Sequence, residues 1–223
     1  MRNEVGGVVN GPVLQAGTIT GNVHVYPGPG PSEAPSAHRG QYFTLGWTLG
    51  DQLPLMPGHA HEHITWSTFV EALLAVGFTQ PEVATVLATK QQLSPDRSES
   101  SGRADRSVVL EAYAGALDDL HRQIERRADQ DQHVWFMIGK LTGEIRMSRT
   151  FDEHGYTEST GRYSGSVYEA HATLASLVAS VDLPPTARVA LDGFLAAVEN
   201  GVELKDLYNR ADAVQRACTI GSL

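Results

Sequence analysis

Residues 27–40 read PGPGPSEAPSAHRG and divide the chain into two parts of different character. Each proline fixes φ and removes a backbone donor, and each glycine adds freedom, so neither a helix nor a strand ladder runs through this stretch. It reads as a semi-stiff linker. Before it, residues 1–26 are rich in Gly, Val, Asn and Thr and carry no leucine-rich helical stripe. After it, from Ile64 onward, apolar residues recur at the three- and four-residue steps of helices.

The second part reads as a bundle. A helix is expected over Ser67–Val76, with Thr65 or Ser67 as its cap and Gly77 ending it. Another begins after Thr79 with Pro81 in its first turn and Val83, Val86 and Leu87 on one face. Residues 94–106 form a polar loop. Leu110, Ala114, Leu117, Leu120, Ile124 and Ala128 then mark a long helix. The stripe resumes at Val134, Ile138, Leu141 and Ile145 and reads as a further long helix. Gly139, Gly143 and the strand-like step from Ile145 to Met147 leave a hairpin about Thr142–Gly143 as the alternative. Residues 152–165 are a Gly-, Tyr- and Ser-rich connection. Three helices follow at Ser166–Val181, Pro185–Glu199 and Glu203–Cys218. Residues 41–63 stay undetermined, since YFTLGWTLG suits a short hairpin or an irregular apolar lid. The expectation is a mainly α fold, a helical bundle of about six or seven helices over residues 41–223, preceded by a β-prone motif at 1–26 and the linker.

The first part behaves differently. Short β-prone segments at Val8–Val9, Val13–Ala16, Thr18–Thr20 and Val23–Tyr26 are separated by turn formers, among them Asn10-Gly11, Gly17 and Gly21-Asn22. No segment is long enough to bury an apolar face of its own, and a lone hairpin is marginal in water. Stacked copies change that balance. Each strand then pairs above and below at about 4.8 Å, aliphatic rows become dry interfaces, and Gln15 forms an amide ladder. Only Arg2, Glu4 and Glu33 are ionised before residue 38, so stacking meets little like-charge repulsion.

Val13-Leu14-Gln15-Ala16-Gly17, continued by Ile19, Gly21, Val23 and His24, resembles the bacterial amyloid signalling sequences. Within them it is similar to the subclass related to the animal RIP homotypic interaction motif, whose core is an apolar residue, Gln, a small or apolar residue and Gly. The likeness spans roughly residues 5–26. Ala16 stands where the animal core commonly has a branched apolar residue, and this substitution weakens the packing expected there. The resemblance implies a motif shared between a receptor-like protein and an effector, with fibril templating passing the signal in immune or cell-death pathways. On that basis the partners are other copies of the chain and a protein with a matching motif. The output of the clustered helical domains is then a membrane lesion, recruitment of a partner, or an adaptor role.

Charge and cysteine usage narrow the remaining classes. The formal net charge is −9, which disfavours general nucleic-acid binding, since phosphate contacts require a basic face. Cys218 is the one cysteine, so no intramolecular disulfide forms and a reducing, cytoplasmic compartment is expected. Gly, Asn and Thr interrupt the N-terminus too often for a signal peptide, and no run of apolar residues is long enough to span a bilayer.

Other constellations carry weaker chemistry. His59, His61 and His63 alternate in PGHAHEH, and in extended chain they would face one Zn²⁺ or Ni²⁺. That is the alternative reading, a small metal-dependent enzyme or binding module localised by its tail. The leading reading is non-enzymatic and expects no cofactor. GFTQPEVATVLATKQQLSPDR has the cadence of a helix-turn-helix, in an acidic setting that favours bundle packing. Arg122, Arg126 and Arg127 against Glu125, Asp129 and Asp131 read as an exposed, salt-bridged helix face. Asp152, Glu153 and His154 lie near Tyr156 and Ser159 without assignable roles. His121 and His171 read as boundary histidines, Trp47, Trp66 and Trp135 as core anchors, and Cys218 as inert.

Overall fold

A computed structural model describes residues 38–51, 62–91, 103–153 and 166–220. Among them are eight helices: α1 (Arg39–Asp51), α2 (Glu62–Ala75), α3 (Gln80–Gln91), α4 (Arg103–Arg127), α5 (Gln130–Glu153), α6 (Ser166–Ser180), α7 (Pro185–Glu199) and α8 (Leu204–Ile220). The mainly α reading holds, with one helix more than the upper expectation. The chain divides into two units, Met1–Ser36 and Ala37–Leu223. The first, with the motif at Val13–Val23, lies outside the described residues.

The helix boundaries have local causes. Glu82 accepts from both the backbone N–H and the hydroxyl of Thr79, each at 2.8 Å, and this starts α3 as a capping box. Asp129 and Gln132 do the same reciprocally for α5, at 2.8 and 3.0 Å. Gly77 and Gly201 have φ of +89° and +61°, and each ends its helix with paired return bonds. At Gly77 these run from Phe78 N to Leu73 O and from Gly77 N to Leu74 O. At Gly201 they run from Val202 N to Ala197 O and from Gly201 N to Val198 O.

The undetermined stretch turns out to hold the central element. YFTLGWTLG is neither hairpin nor lid but the body of α1, and every residue from Tyr42 to Asp51 is buried. The helix begins at Arg39, inside the stretch read as linker. Its hydroxyls are satisfied without leaving it: Thr44 donates to Gly40 O and Thr48 to Thr44 O, both at 2.8 Å. The hairpin alternative at Thr142–Gly143 is also excluded, because α5 runs unbroken through it and Thr142 donates to Ile138 O at 2.7 Å.

Both departures share one reason. The glycines that look like helix breakers are the points where α1 and α5 touch backbone to backbone. A Cβ on Gly46 or Gly50 would fall within 3.0 Å of the carbonyl oxygen of Phe136 or Lys140. A Cβ on Gly139 or Gly143 would do so at the carbonyl of Phe43 or Trp47. The register advances together on both helices, so they run in the same direction. Glycines four apart on each allow this approach, and Cα–H groups then lie against carbonyl oxygens. The two ends of α1 meet α5 through arginine–aspartate contacts in which the two partners are exchanged between the helices. Arg39 binds Asp131 through two bonds of 2.6 Å and lies over Trp135, and Asp51 meets Arg146.

The other helices pack around this pair. Phe69, Leu73, Leu174, Leu191, Phe194, Leu207 and Val214 are essentially fully buried and join Phe43, Phe136, Ile138 and Ile145 in one core. Trp47, Trp66 and Trp135 are buried as expected. Met147, which broke the helical spacing in the sequence, is buried too, because α5 is covered on more than one side. Arg127 fixes the α2–α3 corner by lying over Phe78 at 3.8 Å, donating to Gly77 O and pairing with Glu82. The salt-bridged face therefore differs from the expected one: Arg122 pairs with Asp119, and Asp131 with Arg39.

The seam predicts a sharp contrast between glycines. Gly139→Ala should cost about 3 kcal/mol or more in denaturant unfolding, because rigid backbone meets the new methyl group. Gly115→Ala, in open space on α4, should be neutral or stabilise by about 0.5–1 kcal/mol.

Candidate functional site: a charged cleft beside the central helix pair

Packing α4 across the α1–α5 pair leaves a cavity of about 150 Å³ lined by Leu49, Leu117, Asp118, His121, Lys140 and Glu144. Leu49 comes from the buried helix and supplies an apolar floor. Asp118 and His121 lie one turn apart on α4, and Lys140 and Glu144 one turn apart on α5, so two helices present titratable groups to one space. The His121 ring packs against Phe136 at 5.3 Å, which sets its orientation.

The ion pairs here are long. His121 Nε2 is 3.4 Å from Glu125 Oε1, and Lys140 Nζ is 3.6 Å from Glu144 Oε1. Burial, and then the Lys140 charge, hold His121 below the usual imidazole range, against the opposing pull of Glu125 and Asp118. Burial pushes Glu144 above the usual carboxylate range, with Lys140 opposing. Both groups are thus biased toward their uncharged forms. The cleft can accept and donate protons and can bind a small polar group over Leu49. None of its lining residues brings a hydroxyl or a thiol.

A second charged feature lies at the C-terminal end of α1. The Asp51 side chain is almost wholly buried and pairs with Arg146 through Oδ2, while Oδ1 has no hydrogen-bond partner among the described residues. Arg146 lies 4.4 Å from the centre of the Tyr208 ring and 6.0 Å from that of Trp47, so α8 closes over the pair. Burial pushes Asp51 up to about 6 despite the Arg146 charge and hydrogen bond.

The residues singled out in the sequence are distributed as follows. Val13, Leu14, Gln15, Ala16, Gly17, Ile19, Gly21 and Val23 lie outside the described residues, as do His59 and His61. His63 falls in the first turn of α2, which begins at Glu62, five residues before the expected start, so the alternation of an extended chain does not continue through it. Among the described residues no three His, Cys, Asp or Glu side chains come together as a metal site. Asp152 and Glu153 end α5, and His154, Tyr156 and Ser159 are outside the described set. His171 Nε2 is 3.2 Å from Leu195 O, a boundary histidine tied to α7. Asp51, Lys140, Glu144 and Arg146 went unnoticed in the sequence. A lone Asp closing an apolar run, as in TLGD, is the signal that marks the first of them.

Comparison with protein-family models, curated proteins and solved structures yields no match.

Cys218 is buried on α8, and burial pushes its thiol up to about 12. Alkylation of the native protein at pH 8 should therefore run about a thousandfold slower than that of the chain unfolded in denaturant. Stopped-time labelling with intact-mass readout checks this.

Proposed function

We propose that the protein is a cytoplasmic signalling adaptor or effector of a bacterial immune or cell-death type pathway, acting by templated assembly of residues 1–26. One observation carries the reading. The core Val13-Leu14-Gln15-Ala16-Gly17, followed by Ile19, Gly21 and Val23, joins β-prone segments, an amide ladder position and sharp-turn glycines in a nearly uncharged stretch. Such a stretch gains order from copies of itself that it cannot gain alone.

The helical unit bears on the reading in two ways, one in support and one as a constraint. Among the described residues its core runs from Tyr42 to Cys218, and Met1–Ser36 is a unit of its own. No helix among the described residues is long and apolar enough to cross a membrane, so a lesion-forming output would need the helical units to rearrange or to act together. In this scheme a seed from a partner with a matching motif nucleates the stack. The stack then holds many helical units at millimolar effective concentration, and proximity is the signal.

Seeding tests the scheme. Fibrils grown from a peptide of residues 1–26 should bind thioflavin, show a cross-β spacing of about 4.8 Å and convert the soluble full chain within hours. Gln15→Asp and Gly17→Pro should each abolish conversion while leaving the helical circular dichroism and the unfolding midpoint unchanged. A wild-type chain that stays soluble with seeds present at high concentration sinks the reading.

A further inference from the structure

An ionised carboxylate enclosed by protein needs full hydrogen bonding to balance the hydration it gives up. Asp51 lacks that balance. One oxygen meets Arg146, the other has no partner among the described residues, and the carboxylate lies at the end of α1, where the last helical carbonyls already carry partial negative charge. The contact beneath it is equally intolerant. Gly50 sits against the Lys140 carbonyl and Gly143 against the Trp47 carbonyl, so this end of α1 is either fully seated on α5 or lifted from it. From this geometry we infer that Asp51 and Arg146 form a proton-operated latch, closed when the carboxyl is protonated and loosened when it is ionised. The inference stands apart from the amyloid reading and concerns the helical unit alone.

The direction follows from linkage. Asp51 titrates at about 6 in the folded chain against about 4 when exposed. Between those values the folded state holds a proton that the opened state releases, so the seated form gains stability as pH falls below about 6 and loses it as pH rises. Among the described residues the charged group acting on Asp51 is Arg146 of α5; Tyr208 of α8 lies against the same guanidinium, and α2, which also packs on α1, carries Glu62, His63 and Glu71. Lys140 and Glu144 on α5, and Asp118 and His121 on α4, gather at the cleft beside Leu49. On α1 itself Arg39 and Tyr42 lie at the opposite end. His121 works in the other direction, since a lowered imidazole loses stability as pH falls. Glu144 works in the same direction as Asp51 and must be separated from it by substitution.

Hydrogen–deuterium exchange of the full chain at pH 5.0 and 7.5, corrected for intrinsic exchange chemistry, reads the latch. Protection of the amides of Trp47–Asp51 and of the facing turn of α5 should drop about tenfold from the lower to the higher pH, while α7 amides keep theirs. Asp51→Asn should remove the dependence, and Glu144→Gln should retain it. If Asp51→Asn fails to fold because the buried charge balance between Asp51 and Arg146 is upset, the double variant Asp51→Asn/Arg146→Met removes both charges and should be folded and flat with pH. Protection that is pH-independent in the wild type, a slope that survives in Asp51→Asn or in the double variant, or an equal loss across α7 overturns the inference.

Discussion

The fold depends on one contact, the backbone-to-backbone seam between α1 and α5. A parallel helix pair cannot be closed by a short loop, and here the whole of α2, α3 and α4 lies between its members in the chain. The seam must therefore be specified over a long separation, which costs loop-closure entropy before any contact repays it. Two devices specify it. Glycines four residues apart on both helices let the carbonyls of Phe43, Trp47, Phe136 and Lys140 occupy space that a Cβ would fill. Arg39–Asp131 and the Arg146 hydrogen bond to Asp51 then mark the register at the two ends, with acid and base exchanged from one end to the other. A slip by one turn would place a side chain larger than hydrogen against a carbonyl and separate both arginine–aspartate contacts. Packing and charge thus select the same alignment, which is the consistency between levels that makes a sequence specify one structure.

The charges that fix the register are not placed for local comfort. Asp51 lies at a helix C-terminus and Arg39 at a helix N-terminus, each at the less favourable pole of its own dipole. Asp131, by contrast, lies in the first turn of α5, where a carboxylate is welcome. The Arg39–Asp131 pair is part-exposed, bidentate and stacked over Trp135, so it retains water on one side and strong geometry on the other. In the Asp51–Arg146 pair the guanidinium is likewise stacked, on Tyr208, but the carboxylate is buried and meets it through one oxygen. The two pins therefore differ in kind: one shares its charge across two hydrogen bonds, and the other leaves a buried carboxylate oxygen unmatched among the described residues.

Legibility in the sequence followed the punctuation. The three C-terminal helices and the α2–α3 corner could be read because proline and glycine sit at their ends and an apolar stripe runs along one face. α1 was illegible for a physical reason: a helix buried on every side has no polar face, so its apolar residues show no 3.6-residue period. Its glycines, and those at 139 and 143, read as breakers because local propensity counts the cost of a missing side chain and cannot see the neighbour that occupies the space. Partnerships across long separations were equally hidden. Arg39 with Asp131, Asp51 with Arg146, and the three helices that share the cleft leave no local signal, and Arg127 had exposed partners in view along its own helix while its actual ones lie on the α2–α3 corner.

Glycine serves opposite ends in the two parts of this chain. Between α1 and α5 it permits a single backbone contact that is closed, since each carbonyl is met once and the surrounding helices cover the rest. In the proposed signalling motif, Gly11, Gly17 and Gly21 would permit backbone pairing that is open, since each rung leaves donors and acceptors for the next. An open arrangement is dangerous beside a core that could be drawn into it. Among the described residues the body has its backbone bonds spent within helices and its central helix enclosed, and nearly all of the formal charge of −9 lies after residue 38. Like-charged bodies held a few ångströms apart along a stack repel over about a Debye length, roughly 8 Å at physiological ionic strength. In the proposed stack that repulsion would oppose coalescence of the bodies while leaving the nearly neutral motif free to pair. Proximity without fusion is the condition under which a clustered domain can still act as a folded one.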